Sequence, residues 1–535
     1  MAFANQTSAK MAAASELDGV FIKSPVFIGF TALVAGLISF VSYLAHRPPV
    51  HYKSPPFVSD MVPILGANGF IFRPWRFWDA CAREAKKKSG NFSFWIGKRH
   101  LVGITSSASR KLFYEHPNLD LVSGGMLLPW GAHFWPPVHE IFRAGYAKGI
   151  NNTYFLRRLM DFQTTKHLTN YFPRLRNDVR QGLEALTVDN PNAVMSPPSI
   201  WRLIFNQNNR LLVTDQIVDD AKLKARVHAA GDTLLHTYSP FNVQLPWLPS
   251  WSWAKRRLAR VALQKVAAEL IDKRMKPGAP RYDDALQTMI DRGDRRDWVI
   301  EYITSIIFIA STNAGVVAGQ MLNIMSIYPE WQEKVFQEIK AAVEAHSKDK
   351  NAPLVDQLSY IPMEVWENGL PILYLCLKET MRMWVSFNAS RLNTSTDPIH
   401  IPGSDEVIPG NTFVIYNTTQ CNFNPELYPN PTKFDPERHM EGRQEYMKEP
   451  NGLTNSLVLS TDLGWGQGKH PCAGMRWGKL QQHMLIVYAL AMYKWSPCDK
   501  NGDPDPNAEH KKEVDSREPF ILPPSYCKLE PRENF

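Results

Sequence analysis

One cysteine in a glycine-rich loop constrains this chain more than any other stretch. Residues 463–474 read Leu-Gly-Trp-Gly-Gln-Gly-Lys-His-Pro-Cys-Ala-Gly, and an apolar, helix-capable run, Met475 to Tyr493, follows. The glycines before Cys472 let the backbone take positive φ and approach a flat ligand closely. Pro471 and Gly474 bracket Cys472 where a helix begins. The dipole of that helix pushes a thiol toward thiolate, the form that binds a metal. One thiolate facing one metal, with a loop wrapped round it, is the ligation of a thiolate-bound haem iron. Other readings fit less well. A lone cysteine in apolar surroundings is usually a buried hydrophobe. A dinucleotide loop needs a third glycine where Pro471 stands, and Gly-Lys-His-Pro lacks the Lys-Ser/Thr ending of a nucleotide P-loop. No cysteine pair has the short spacing of a zinc site.

Trp465 to Gly474 resembles the haem-binding loop of cytochrome P-450, in which an aromatic residue, a glycine (here Gly466), a basic residue, the cysteine and a final glycine keep these spacings. Trp465 stands where Phe is usual and His470 where Arg is common; both keep the role, a ring against the thiolate and a donor to a haem propionate. Two more segments match the same family. Glu379-Thr380-Met381-Arg382 lies in an apolar-periodic helix, where residues three apart share a face. Phe434-Asp435-Pro436-Glu437-Arg438 follows. The resemblance implies that Glu379, Arg382 and Arg438 form a buried triad that fixes the loop of Cys472. It also implies a mainly α fold with small β-sheets: a triangular, helix-rich body with haem b between a long central helix and the Cys-loop helix, plus one N-terminal transmembrane helix.

The N-terminal part supports an anchor independently of the resemblance. Residues 26–45 carry no charge, and about 20 such residues span the hydrocarbon core as one helix. A cleaved signal peptide would have a shorter apolar core nearer the start. Only Lys10 and Lys23 precede the span, whereas Arg47, Lys53, Arg73, Arg76 and Arg83 head a longer basic series after it. The positive-inside rule then puts the body in the cytoplasm. The expected organisation is a short lumenal segment (1–25), a transmembrane anchor (26–45), a Pro-rich linker (46–60) and a catalytic haem domain (61–535), single-pass in the endoplasmic reticulum membrane. Asn5 is then the only lumenal glycosylation sequon; those at Asn91, Asn151, Asn388, Asn393 and Asn417 stay bare. The net charge of +8 over 535 residues suits an acidic protein partner or an anionic membrane surface, and no nucleic-acid signature accompanies it. Cys81, Cys376, Cys421, Cys498 and Cys527 join Cys472 without framework spacing, which reads as reduced thiols facing cytosol.

Within the body, the pattern predicts a helix from Trp75 to Lys88, strands at Asn91–Trp95 and His100–Thr105 joined at Gly97-Lys98, a short helix over 106–116, and mostly helix from 152 to 345. Residues 122–150, rich in Gly, Pro and Trp, form an apolar loop; in the resembled family this region closes over substrate. A long helix from Asp297 to Ile327 is apolar, then polar at Ser311-Thr312-Asn313, then small at Ala314-Gly315. Such a break inside a buried helix marks a kink or a ligand's approach, or plain core packing. In the resembled family an acid followed by a threonine lies here and delivers protons during oxygen activation. Counting back from Pro329 puts Asn313 at the threonine and Thr312 at the acid. Asn cannot relay a proton as a hydroxyl does, although its amide can hold a water in place. A minority of the family shares this departure, including sterol-directed hydroxylases and prostanoid peroxide isomerases.

By the same resemblance, Arg391 is a propionate partner, and Ile309, Ala310, Ala314, Val317, Val385, Phe387 and Phe520 line the substrate pocket. Strands are expected at Ile399–Ile401 and Thr412–Tyr416. The implied activity is a monooxygenase that oxidises a lipophilic small molecule (a terpenoid, sterol or polyketide) using O2. Electrons come from NADPH through a membrane-bound P-450 reductase, with cytochrome b5 as a second donor, docked near Lys469, Arg476 and Lys479. The style of the sequence resembles filamentous-fungal members that tailor secondary metabolites. Two other functions stay open: a reductase-independent peroxide isomerase or dehydratase, and a non-catalytic haem carrier or sensor.

Overall fold

The computed structural model describes residues 25–59, 61–125, 140–143, 152–237, 243–246, 248–385, 388–425, 427–440, 463–510 and 525–532. Asn5, Phe387, Phe520 and most of the 122–150 loop lie outside these residues.

Helix α1 (Pro25–Ala45) is apolar on all sides. The window Ile28–Ala45 has a mean hydropathy of 2.0 with none of it buried, so it is a candidate membrane span. Residues that follow run onto the first sheet: Val58 donates to Ser93 O, and Arg47 sits 5.5 Å from the Trp95 ring. Helix α2 (Pro74–Ala85) begins on a proline, whose missing N–H costs nothing in a first turn. The hairpin predicted at Gly97-Lys98 forms, with β1 (Asn91–Ile96) and β2 (Arg99–Ile104) antiparallel and Asn91 opposite Ile104.

The helical mass follows. Helix α3 (Thr165–Asp189) is capped by the Thr164 side chain. Helix α4 (Ser196–Leu212) packs along α5 (Arg296–Ile327), the central helix, which at 32 residues is about 48 Å long. Most of α5 is buried, and it runs unbroken through the polar segment. A Cβ on Gly315 would sit 2.2 Å from the Trp201 ring, so glycine is what lets α4 and α5 meet there. Helices α6 (Pro329–His346) and α7 (Pro371–Trp384) also start on prolines. Helix α8 (Met475–Met492) follows the cysteine loop and is buried almost throughout.

Among the described residues the strands form three sheets. The largest has the order β1-β2-β8-β5-β3, with β3 at Leu119–Asp120, β5 at Asn388–Asn393 and β8 at Phe413–Asn417. Asn388–Asn393 was not among the expected strands. It is a strand because Ser390 and Arg391 pair with Ile415 and Val414 of the apolar β8. The smaller sheets join β4 (Val194–Met195) to β10 (Tyr526–Pro531) and β9 (Tyr493–Cys498), and β6 (Ile399–His400) to β7 (Val407–Ile408).

Candidate active site

The loop before α8 is held by its own backbone and by one neighbour. Cys472 N–H donates to Trp465 O at 2.5 Å, and Lys469 N–H donates to Tyr114 O at 3.0 Å. Gly466 and Gly468 have φ of +73° and +63°, and a Cβ on Gly468 would lie 2.3 Å from Tyr114 O. Glycine is therefore required there twice over, by conformation and by space.

None of the six cysteines forms a disulfide, and of the six only Cys472 is exposed. The usual fate of a lone cysteine is met by the other five. Protein atoms still crowd Cys472 on its other sides. That desolvation raises its pKa, against a hydrogen bond from the Gly474 N–H that lowers it. The expected push from the helix end is thus outweighed by burial, and deprotonation falls to a bound metal's charge.

Two buried ring nitrogens stand in the same loop with no protein partner among the described residues, Trp465 Nε1 and His470 Nε2. The pKa of His470 is lowered to about 4, chiefly by desolvation and then by the charge of Arg391. Arg391 is buried, 4.9 Å from the Phe113 ring. An exposed thiol beside buried donors and a cation suits a flat ligand that offers a metal to Cys472 and acidic oxygens to His470 and Arg391. Haem meets that description.

On α5 the structure opens one stripe. Ile309 is 48% exposed, Asn313 is exposed, and Ala310 and Ala314 are half-buried, all at helical spacing on one face. Two expected members leave this set. Val317 lies one turn beyond Asn313 on the same side of the helix, but there it is buried in the main core. Thr312 is also buried, and its hydroxyl donates to Phe308 O at 2.8 Å, one turn back. Val385 is half-buried at the end of α7.

The Glu379 carboxylate is wholly buried and accepts from Arg382 Nε and Nη2, each at 2.8 Å, and from Arg438 Nε at 3.0 Å. His439 was missed in sequence, although it directly follows Arg438; its Nε2 lies 2.9 Å from Glu379 Oε2. Burial alone would raise the Glu379 pKa. The charge and hydrogen bonds of Arg382, then those of His439, win and hold it well below the usual carboxylate range. A Cβ on Gly464 would press on Met381 of the same helix, so α7 backs directly onto the cysteine loop.

A second network escaped sequence reading because its members are lone amides in three separate segments. Asn208 Oδ1 accepts from Trp477 Nε1 (2.8 Å) and Gln481 Nε2 (3.1 Å) of α8, while its Nδ2 donates to Ala310 O (3.0 Å) of α5. Gln482 Nε2 donates to Ala314 O at 2.9 Å. The helix after Cys472 is thereby bonded to the backbone on both sides of Asn313. Arg476, expected near a redox partner, is paired with Glu367 at 2.6 Å and bonded to Gln163 O. Lys479 lies 4.4 Å from the Tyr374 ring.

The family model for cytochrome P450 matches residues 55–523. The chain belongs to the cytochrome P450 family. A cytochrome P450 monooxygenase of Aspergillus novofumigatus, nsrP, is 50% identical to it, covering 94% of this chain and 96% of that one. Another, AacuE of Aspergillus aculeatus, is 42% identical over 94% of this chain and 98% of its own. A third, claM of Passalora fulva, is 40% identical over 95% and 94%. The structure of retinoic-acid-bound cyanobacterial CYP120A1 shares the fold, with a TM-score of 0.64 over 90% of this chain and 100% of that one at 16% identity. This cytochrome P450 is a monooxygenase by family, and its cofactor is haem b.

Proposed function

We propose that the enzyme oxidises a lipophilic small molecule of fungal secondary metabolism, a terpenoid, sterol or polyketide, with O2 and with electrons from NADPH through a P450 reductase. The observation that carries this reading is the exposed Cys472 thiol in a loop that leaves Trp465 Nε1 and His470 Nε2 unpartnered. When bound, thiolate-ligated haem supplies the oxidising chemistry, the thiolate favouring O–O cleavage. The chain does the rest. His470 and Arg391 hold the propionates, and the Glu379 network fixes α7 behind the loop. Ile309, Ala310 and Ala314 form an apolar wall against which a substrate lies. Asn313 holds a water by its amide beside that wall, and protons reach the site through water because Thr312 is committed to Phe308 O. Helix α1 anchors the enzyme in the endoplasmic reticulum membrane with the body facing the cytoplasm, where an acidic reductase meets the basic chain.

The test is a reduced-plus-carbon-monoxide difference spectrum of full-length enzyme beside Cys472→Ala, then turnover with reductase, NADPH and labelled O2. A band near 450 nm that is lost in the variant, with label in the product, is the expected result. Asn313 favours a second reading, rearrangement or dehydration of a peroxide substrate; product formed without NADPH would establish that reading over the first.

A further inference from the structure

Two consecutive glutamines of α8 act on one turn of α5. Gln482 is buried, and its Nε2 donates to Ala314 O at 2.9 Å. Gln481, also buried, donates to Asn208 Oδ1 at 3.1 Å, and Asn208 Nδ2 carries the link on to Ala310 O at 3.0 Å. Ala310 and Ala314 stand one turn apart, with Asn313 between them. A carbonyl inside a helix already accepts from the N–H four residues on, and its second lone pair is free for a side-chain donor. Both ends of the Asn313 turn are therefore tied to the helix that starts three residues after Cys472.

Stability does not account for a glutamine at 482. Its Oε1 is buried with no partner among the described residues. Burying an unsatisfied acceptor costs free energy, which offsets what the Nε2 bond contributes. An apolar side chain of the same length, such as methionine, would fill the space without that cost. What methionine lacks is a hold on the Ala314 carbonyl. That hold falls where α5 is open, since Ile309 and Asn313 are exposed there. Helices bend where water or a side chain enters the backbone ladder, yet α5 runs through this turn unbroken. The two amide bonds brace it from the neighbouring helices.

We propose that Gln482 is a positioning residue for Asn313: through the Ala314 carbonyl it fixes the turn from which the Asn313 amide holds a polar ligand beside the bound haem. This role rests on the reading above that Asn313 works there, and deepens it. A hydrogen bond lost at Asn313 is worth about threefold to tenfold in the affinity of such a ligand.

The test is a spectral titration of haem-loaded, full-length enzyme with imidazole. One nitrogen of imidazole binds the iron, and its opposite N–H needs an acceptor, which the Asn313 carbonyl oxygen supplies. Asn313→Ala and Gln482→Met are each expected to weaken imidazole about threefold or more. In the double variant the effect of Gln482→Met is expected to vanish, because the amide that it positions is gone. The thermal midpoint of Gln482→Met should stay within about 3 °C of the unaltered enzyme. Equal weakening with and without the Asn313 side chain would overturn the proposal, because Gln482 then acts on the fold or the haem alone. Unchanged imidazole affinity in Gln482→Met, whatever its midpoint, would overturn it too. Should Gln482→Met fail to fold, Asn208→Leu, which frees Ala310 O at the other end of the turn, goes through the same cycle and must show the same coupling. If Asn313→Ala alone leaves imidazole binding unchanged, the role given to Asn313 falls, and the proposal with it. Absence of the 450 nm band in unaltered enzyme would instead overturn the haem-thiolate reading itself.

Discussion

Asparagine and threonine at position 313 differ in what they can do with a proton. A hydroxyl donates and accepts through one atom, whereas an amide separates the two tasks. Asn313 is exposed on the open stripe, so its side chain can orient a water there but cannot pass a proton along itself. Asn313→Ala is expected to cut coupled product formation on the order of 10²-fold while haem content and the substrate-induced spectral shift stay unchanged. Release of hydrogen peroxide should rise in step. An unchanged ratio of product to NADPH consumed would show that no water held at 313 takes part.

At the scale of elements, α7 and α8 carry the site, and each is tied down by a buried polar node. Replacing Glu379 by Ala would leave Arg382 and Arg438 as uncompensated buried cations, at about 3–5 kcal/mol. Unfolding of the variant should shift by that amount, and its haem loading should fall. Asn208→Leu removes the acceptor shared by Trp477 and Gln481, at about 1–3 kcal/mol. Its distinguishing effect is spectroscopic: the low-spin to high-spin balance of the haem should change, because Ala310 O loses its bond to α4 while Cys472 is untouched. Much of this scale was legible in the chain. Glu379 and Arg382 were legible through the resemblance of their segment to the family's, the β1–β2 hairpin by its Gly-Lys turn, and the cysteine loop by its glycines. The Asn208 node was not legible, because a lone amide acquires meaning only from partners far away in sequence. Nor was β5, whose Asn-Ala-Ser-Arg run lacks alternation and becomes a strand only between β8 and β3. That Val317 and Thr312 are buried was not legible either, because sequence gives a helix's length but not what packs along each part of it.

For the whole molecule, acid is expected to destabilise the fold well before the carboxylates titrate. Burial lowers the pKa of His100, His228 and His483 to about 4, so the folded protein keeps them neutral. Unfolded histidine titrates near about 6.5. The unfolded chain therefore binds more protons between these values, and the stability present above pH 6.5 is lost as pH falls toward 4. Thermal midpoints measured from pH 7.5 to 4.5 should fall through this window. His483→Gln, at a side chain bonded to Trp366 O, should flatten part of the slope. Glu379 adds a later loss: its folded pKa is depressed, so its contribution holds above its unfolded value of about 4.3 and fades below it. Deleting residues 1–45 should move the enzyme to the soluble fraction with its carbon-monoxide spectrum intact.

The central helix has a consequence for how the protein is made. Arg296–Ile327 passes the same length and hydropathy test as the N-terminal span, with a hydropathy of 1.4, yet 72% of it is buried. Both segments are long and apolar enough to cross a membrane, and insertion of the second would take the core of the enzyme apart. The second must be wrapped by α4 and its neighbours before the insertion machinery captures it. A substitution such as Gly315→Val, which blocks the seating of Trp201, would therefore create a competing topology as well as a weaker fold. A glycosylation acceptor placed just after Pro329 would report it, since only a misinserted chain would carry that acceptor into the lumen.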